Sequence, residues 1–480
     1  MEANAHGPTI RPRRAACMSG RAGAAARRRL ARPLGSPPVS TTQPWSGRAL
    51  HFVGIGGAGM SGLALVARSL GASVTGSDRA AGSPYLGPLL ALGVEPVAGH
   101  DAANVPEGAE VVVSSAIPAD NPERAIARER GQRELHRADL LGELTRLKPT
   151  IAISGTHGKT TTSSMVVHAL RGCGLDPSYL VGGEVRSTGA NAGWGTGEWL
   201  VVEADESDRS LLKLAPTIAV LTNAELDHHT TYSSRRDVDD TFRAFLGLAE
   251  QAVVWDRPEL LALAGDVPVT PFDVPAPQLG EDGSRFTLDG VEVVLPVPGA
   301  HNARNAAAAL TAARLAGADL AQAAAALADF GGAGRRFERL GLTDAGALVV
   351  DDYAHHPTEV RATIEAARTL LADRVVAVFQ PHLFSRTRHT ARGFGAALAL
   401  ADVVVVLGIY PARERQEDFP GVTGRLVAAA AADAAGGRQV AWLPGFDAAE
   451  AFLRATLREG DILLTLGAGD VDSLGRRLVT

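Results

Sequence analysis

The chain has 480 residues, a net charge of −6 and only 2 cysteines. That length exceeds what one hydrophobic core usually organises and suggests about three domains, and the slight acidity gives nucleic acid no general attraction. Cys17 and Cys173 cannot make a disulfide framework, which points to a reducing, cytoplasmic setting, and no uncharged apolar run reaches the roughly 18 residues of a membrane span.

Residues 1–48 hold nine arginines and a single acid, Glu2, with scattered Pro, Ser and Ala and no apolar periodicity. Such a stretch cannot bury a core and reads as a disordered extension rather than an organellar targeting segment, with Met18 as a competing start. From Leu50 the chain alternates apolar strands with amphipathic helices. A first series contains "LHFVGI", "SVTGS" and "VVVSSAI"; a second contains "TIAISG", "WLVVEAD", "TIAVLTN" and "AVVWD". A third contains "ALVVDDY", "VVAVFQ", "VVVVLG" and "ILLTLG". Strand–helix alternation predicts an α/β fold of three mainly parallel, doubly wound sheets. The joints fall at "RLKP" (146–149) and at the glycine run 331–334, giving domains at 49–148, 149–332 and 333–480.

The first strand runs into Gly54-x-Gly56-x-x-Gly59, the spacing of a dinucleotide-binding turn, with Gly56 expected at positive φ. Alone this spacing is weak evidence for any one ligand, and an NAD-dependent oxidoreductase is one reading of it. The second series supplies the sharper signal. Strand "IAIS" enters Gly155-Thr156-His157-Gly158-Lys159-Thr160 and then a helix. Successive backbone amides and a helix N-terminus make a cradle for phosphate, Lys159 supplies a point charge, and the Thr160 hydroxyl suits Mg²⁺. Lys159 is expected on a solvent-facing loop that supports no core. The turn is two residues shorter than the common phosphate loop. Metal ligands are offered at two further strand ends, Glu203, Asp205 and Glu206 in "EADESD" and Asp227, His228 and His229 in "ELDHH".

In order along the chain, "GTHGKTTT", "EADESD", "TNAELDHH", "GAHNARNAAAAL", "GRRFE", "DDYAHHPTEV", "FQPHLFSRT", "YPARE" and "GAGDV" resemble the motifs of the Mur ligases. The resemblance spans Leu50 to the C-terminus. It implies a UDP-sugar domain, a central ATP domain and a mobile C-terminal domain. The activity implied is ATP-dependent joining of L-alanine to the lactyl carboxylate of UDP-N-acetylmuramate through an acyl phosphate, for peptidoglycan precursor synthesis. A recycling ligase of the same family, attaching a ready-made peptide to that sugar, is the nearest alternative. ATP and Mg²⁺ are the implied cosubstrate and cofactor, with neither nucleic-acid binding nor membrane insertion, in a monomer or dimer.

The resemblance also implies residue roles. Gly54, Gly56, Gly57, Ala58 and Gly59 would meet the diphosphate of the UDP-sugar, with Asp78 toward the uridine. Gly155, Thr156, His157, Gly158, Lys159, Thr160 and Thr161 would hold ATP. Asn302 and Asn305 would face the adenine, and Arg335, Arg336 and Asp352 would approach the nucleotide from the last domain. Thr160 and Glu203 would hold one Mg²⁺ between the ATP phosphates, and His228 would help hold a second metal near the acyl phosphate. Tyr353, His355, His382 and Arg386 would meet the amino acid, and Lys159, Glu203, His228, His355 and Arg386 form the expected catalytic set. Plainer alternatives exist: His355-His356-Pro357 as a helix entry, and Arg335 and Arg336 as linker surface charges. Leu383 stands where several relatives have arginine, so either Arg386 or Arg388 carries the anion contact or that contact belongs to another subgroup, and Ala354 replaces a common glycine. Some relatives carbamylate a lysine; Lys213 is nearby in the chain but is assigned nothing.

Overall fold

The computed structural model describes residues 43–479 apart from 80, 81 and 84, and in it the apolar runs become strands of three mainly parallel sheets. The first sheet holds β1 (Ala49–Val53), β2 (Ser73–Asp78), β3 (Val97–Ala98), β4 (Glu110–Val113) and β5 (Glu134–His136). Their order is 3-2-1-4-5, with every pairing parallel. Successive residues of β1 bury on opposite faces: Phe52 and Val53, both 0% exposed, belong to two different core clusters. A strand covered on both sides reads as a continuous apolar run, which is why "LHFV" was legible.

The central sheet holds β6 (Thr150–Ser154), β7 (Ser178–Val185), β8 (Ala190–Gly193), β9 (Leu200–Glu203), β10 (Ile218–Leu221), β11 (Gln251–Trp255) and β12 (Val269–Phe272). Its order is 12-11-10-6-9-7-8, parallel except for β7–β8. A small antiparallel sheet follows, β13 (Gln278–Gly280), β14 (Gly283–Leu288) and β15 (Val291–Leu295), which sequence alternation had not indicated. The last sheet holds β16 (Glu338–Leu342), β17 (Leu348–Asp352), β18 (Arg374–Phe379), β19 (Val403–Val406), β20 (Gln439–Trp442) and β21 (Asp461–Leu466). It is ordered 16-17-21-18-19-20, with only β16 antiparallel. The expected α/β class and its three-sheet organisation are therefore observed.

One boundary is corrected. Residues 43–48, assigned to the disordered extension, pack on the first domain. Trp45 is 7% exposed and its amide donates to the Leu70 carbonyl at 3.1 Å. Arg48 bonds Glu110 and Glu143, each at 2.6 Å, while its guanidinium lies 4.7 Å from the Trp45 ring. The rest of the Arg-rich segment, including Cys17, lies outside the described residues. Among the described residues no helix is long and apolar enough to cross a membrane.

Candidate active site

Parallel sheets present ligands beyond the C-terminal ends of their strands. Here β1, β6, β9 and β17 all end on one cleft of about 830 Å³, lined among others by Ala58, Lys159, Thr160, Glu203, His228, Arg336, Tyr353 and His355. A second cavity of about 190 Å³ holds Thr161, Asn302, Asn305, Trp255, Arg304 and Asp352. The two share Gly158, Arg336 and Glu359, so the phosphate loop stands between them.

In the first glycine turn, positive φ falls at Gly54 (78°), which corrects the expectation for Gly56. Gly56 is required for a different reason. Its amide donates to Asp78 Oδ2 at 2.8 Å, and a Cβ there would lie 2.9 Å from that oxygen and 3.1 Å from Ser83 Cβ. Asp78 thus braces the turn from the end of β2. Gly57 caps the helix Ala58–Ser69 without a side chain, leaving the first-turn amides toward the cleft. Beside Gly59 stands Arg137, whose Nη2 bonds Asp205 at 3.1 Å and Asp208 at 3.0 Å, tying the first domain to "EADESD".

In the second turn Gly155 (φ 137°) and Gly158 (φ 81°) are conformationally required. A Cβ on Gly158 would also meet Asn305 Oδ1 at 2.6 Å. The amides of Thr156 and His157 point at Asn223, and Thr156 Oγ1 bridges the Glu225 backbone. The amides left for an anion therefore begin at Gly158 and run into the helix Lys159–Gly172.

Lys159 departs from the solvent-facing expectation. Its side chain is 15% exposed; Nζ donates to the carbonyls of Gly155 (2.6 Å) and Thr156 (3.1 Å) and pairs with Glu206 at 2.8 Å. Burial alone would lower its pKa, but Glu206, Asp205 and Glu203 outweigh burial and raise it, so the ammonium is held charged. Thr160 Oγ1 donates to Glu203 Oε2 at 3.0 Å, and the Gly182 amide donates to the same oxygen at 2.9 Å. A hydroxyl and a carboxylate side by side at a phosphate loop match the oxygen donors that Mg²⁺ prefers. His228, at φ 50°, places Nε2 at 3.5 Å from Glu206 Oε1 and 3.7 Å from Asp227 Oδ2.

The smaller cavity suits a flat heteroaromatic ring. Asn302 Nδ2 donates to the Pro298 carbonyl at 2.8 Å, and Asn305 Nδ2 to Asn302 Oδ1 at 3.3 Å, fixing both amides. Arg304 lies 4.6 Å from the centroid of Trp255. Neighbouring His301 is lowered to about 4, chiefly by burial, and stays neutral.

The C-terminal domain brings the remaining residues. Arg335 and Arg336 lie 5.1 and 5.0 Å from the Tyr353 ring and are not free linker charges. Arg335 bonds Asp351 (2.9 Å) and the carbonyls of Gly467 and Gly469, while Arg336 lines both cavities. Asp352 accepts amides from Phe337 and Ala354, and burial pushes it up to about 7. His355 Nδ1 contacts the Tyr353 carbonyl at 2.9 Å and is lowered to about 3, first by burial. His382 stacks on Tyr410, 5.7 Å between centroids, and is lowered to about 4, again first by burial. His356 caps the helix Pro357–Ala367 through Nδ1, so the helix-entry reading holds for that residue. Arg386 is 4% exposed and grips Asp227 with two bonds of 3.0 and 3.1 Å, which joins two domains and holds the Asp227 carboxyl well below the usual range despite burial. Arg388 instead stacks over Phe419 at 5.5 Å. Leu383 has φ 68°, and Lys213 pairs with Asp139 at a half-exposed surface.

Several site residues escaped the sequence reading. Glu225 and Glu359 flank His157 at 3.5 and 3.3 Å; burial would lower this imidazole, but the two carboxylates raise it to about 9. Asn223, Glu225 and Glu359 all sit inside quoted motifs, but which of a motif's polar residues faces the loop is set by tertiary packing.

Three family models match the chain: "Mur ligase family, catalytic domain" over residues 49–149, "Mur ligase middle domain" over 153–313 and "Mur ligase, glutamate ligase domain" over 335–469. The UDP-N-acetylmuramate–L-alanine ligase of Kineococcus radiotolerans is 48% identical over 453 residues, covering 89% of this chain and 94% of its own. The crystal structure of the UDP-N-acetylmuramate-alanine ligase MurC from Thermotoga maritima matches with a TM-score of 0.76 at 29% identity, over 90% of this chain and 98% of that one. A murein peptide ligase from Psychrobacter arcticus matches with 0.67 at 25%, over the same shares.

Proposed function

The chain belongs to the Mur ligase family, and from that premise we propose that it joins L-alanine to the lactyl carboxylate of UDP-N-acetylmuramate, converting ATP to ADP and phosphate. The observation that carries this reading is the convergence of two glycine turns on one cleft, with the phosphate loop standing between that cleft and an aromatic-lined cavity. A dehydrogenase needs only the first turn. The relatives favour alanine addition over peptide recycling, since the alanine ligase is the better structural match of the two.

A carboxylate cannot be displaced by an amine while its leaving group is oxide. The γ-phosphoryl group of ATP therefore passes to a lactyl oxygen, giving an acyl phosphate and ADP. The amine of L-alanine then attacks the carbonyl carbon, and phosphate leaves as the tetrahedral intermediate collapses. Both steps gather anions, so the work is positioning and charge neutralisation.

In our reading adenine occupies the cavity of Asn302, Asn305 and Trp255, and the triphosphate runs past Gly158 to Lys159. The amides at the start of the Lys159 helix and the Lys159 ammonium hold the β and γ phosphates. Thr160 and Glu203 suit one divalent ion by donor type, and His228, on the same cleft, suits a second nearer the sugar carboxylate; Mg²⁺ bound there would screen the phosphate charge. Gly54 to Gly59 and the Ala58 helix start take the UDP diphosphate, braced by Asp78. Neutral His355 offers its Nε2 lone pair, not positive charge, to the alanine amine, whereas His382 accepts from Arg386 Nη1 at its Nδ1 and presents an N–H; the Asp227–Arg386 pair keeps the C-terminal domain over the central one. The enzyme works in the cytoplasm, where its nucleotide substrates are made.

Phosphate release from ATP, with each component omitted in turn, tests the proposal. Release should require the UDP-sugar, L-alanine and Mg²⁺ together. Faster release with a tripeptide than with L-alanine would favour the recycling reaction instead.

A further inference from the structure

We infer that His157, Glu225 and His356 form a binding site for one transition-metal dication of the zinc class, separate from the Thr160–Glu203–His228 group. The three ligand atoms lie within 4.8 Å of one another. His157 Nε2 is 3.5 Å from Glu225 Oε2, and His356 Nδ1 is 3.7 Å from the same oxygen. Tetrahedral zinc, with bonds of about 2.0–2.1 Å, sets its ligands about 3.3 Å apart, so two edges of the tetrahedron are nearly in place. The two imidazoles face each other with centroids 4.6 Å apart and planes tilted by 36°.

A second observation points to a ligand. His157 Nε2 is buried and lacks a well-formed hydrogen bond; its neighbour is the Glu225 carboxylate at 3.5 Å, longer than an ordinary N–H···O bond. Its other nitrogen, Nδ1, faces Glu359 Oε1 at 3.3 Å. A carboxylate behind one imidazole nitrogen, with the second nitrogen aimed at an open ligand set, is the outer-shell arrangement that orients metal-bound histidine. Two imidazoles and one carboxylate favour zinc, cobalt or nickel over Mg²⁺, which prefers oxygen ligands.

Binding has defined costs. The ion replaces the proton that His157 carries between its two carboxylates, and it takes the Nδ1 lone pair of His356 from the Thr358 amide, now 3.3 Å away. Glu225 Oε2 can keep its 2.6 Å bond from Thr358 Oγ1 through its second lone pair. His157 and Glu225 belong to the central domain, and His356 to the C-terminal one. A bound ion therefore pins the phosphate loop to the opposite domain. On the proposed ligase reading this holds the domains together and inhibits turnover; the binding itself does not depend on that reading.

The test uses the full chain, stripped with chelator and titrated calorimetrically with Zn²⁺ alone in excess Mg²⁺, with Co²⁺ as a spectroscopic probe. We expect one Zn²⁺ per chain and an intense visible cobalt spectrum of tetrahedral type. His356→Ala should weaken zinc by more than the roughly 10–100-fold that loss of an outer-shell partner costs, because it removes a ligand, and Glu225→Gln should do so without removing the helix cap. His228→Ala and His389→Ala should leave it unchanged; His389 lies 4.7 Å from His229, a second close histidine pair and so a control for zinc capture elsewhere. Absence of zinc binding in Mg²⁺, an octahedral cobalt spectrum, or loss in His228→Ala or His389→Ala with retention in His356→Ala would each overturn the site.

Discussion

Lys159→Met removes the ammonium but keeps most of the stem, and the structure makes two separate losses follow. Lys159 and Glu206 are 15% and 3% exposed and 2.8 Å apart. Removing one partner of such a pair strands a buried charge, at about 3–5 kcal/mol. A loss of that size should lower Tm by roughly 6–20 °C, at about 2–4 °C per kcal/mol for a domain of this size. Turnover should fall by about 10²–10³, the usual effect of deleting one fixed donor to a developing charge. The double variant Lys159→Met/Glu206→Gln separates the two. With the carboxylate in direct contact also neutralised, its stability should return most of the way to the parent, because replacing both members of a buried pair is often near neutral. Its phosphate release should stay depressed. Calorimetric unfolding and phosphate release on the parent and both variants decide the matter. An unchanged Tm in Lys159→Met would refute the buried pair, and recovered turnover in the double variant would refute the role of Lys159 on the phosphates.

Glu203→Gln should raise the Mg²⁺ needed for half-maximal rate by roughly tenfold, with activity partly restored at high metal, because a neutral amide is a poor ligand for a hard cation. His228→Ala should slow acyl phosphate formation more than it weakens ATP binding; unchanged metal dependence in both variants would remove them from the metal site. Gly56→Val should weaken UDP-N-acetylmuramate at least about tenfold, some 1.4 kcal/mol, and ATP much less, since the new side chain collides with Asp78 and Ser83 in the first turn only. Equal weakening of both ligands in calorimetric titration would contradict the division between the two turns. Asp352, raised to about 7 by burial, binds its proton more tightly folded than unfolded, so it subtracts stability as pH rises from about 4 toward 7. Asp352→Asn should flatten that part of the urea-stability profile, and an unaltered slope would show that Asp352 is ionised throughout.

The fold was legible where local rules act alone. Continuous apolar strands between glycine turns predicted β1, β6, β10, β18 and β21, since strands buried on both faces carry no polar alternation to obscure them. The antiparallel β13–β15 sheet was not legible, because "VEVVL" pairs with a strand reading "GSRFTL" whose polar side faces water. Residues 43–48 were misassigned for a similar reason. Arg48 completes an arginine-rich run in the sequence, yet its partners Glu110 and Glu143 lie 62 and 95 positions away.

The same distance in sequence separates what could and could not be read of the site. Lys159, Thr160 and the glycines of both turns announce themselves, because backbone geometry at a strand–turn–helix junction needs those residues side by side. The interactions that assemble the cleft join motifs instead: Arg137 to Asp205 and Asp208, Glu225 to Thr358, and Asp227 to Arg386, across 68, 71, 133 and 159 positions. All of these residues but Arg137 lie in stretches that sequence reading singled out, yet none could be matched to its partner without the fold. Arg386 shows the consequence. As a sequence residue it is a spare cation for an anionic substrate; in the structure both arms of its guanidinium close on Asp227, one residue before His228. Its charge therefore reaches substrate through the position of His228 and the hold of one domain on the other, so its loss should be felt at the metal and in closure before it is felt in alanine binding.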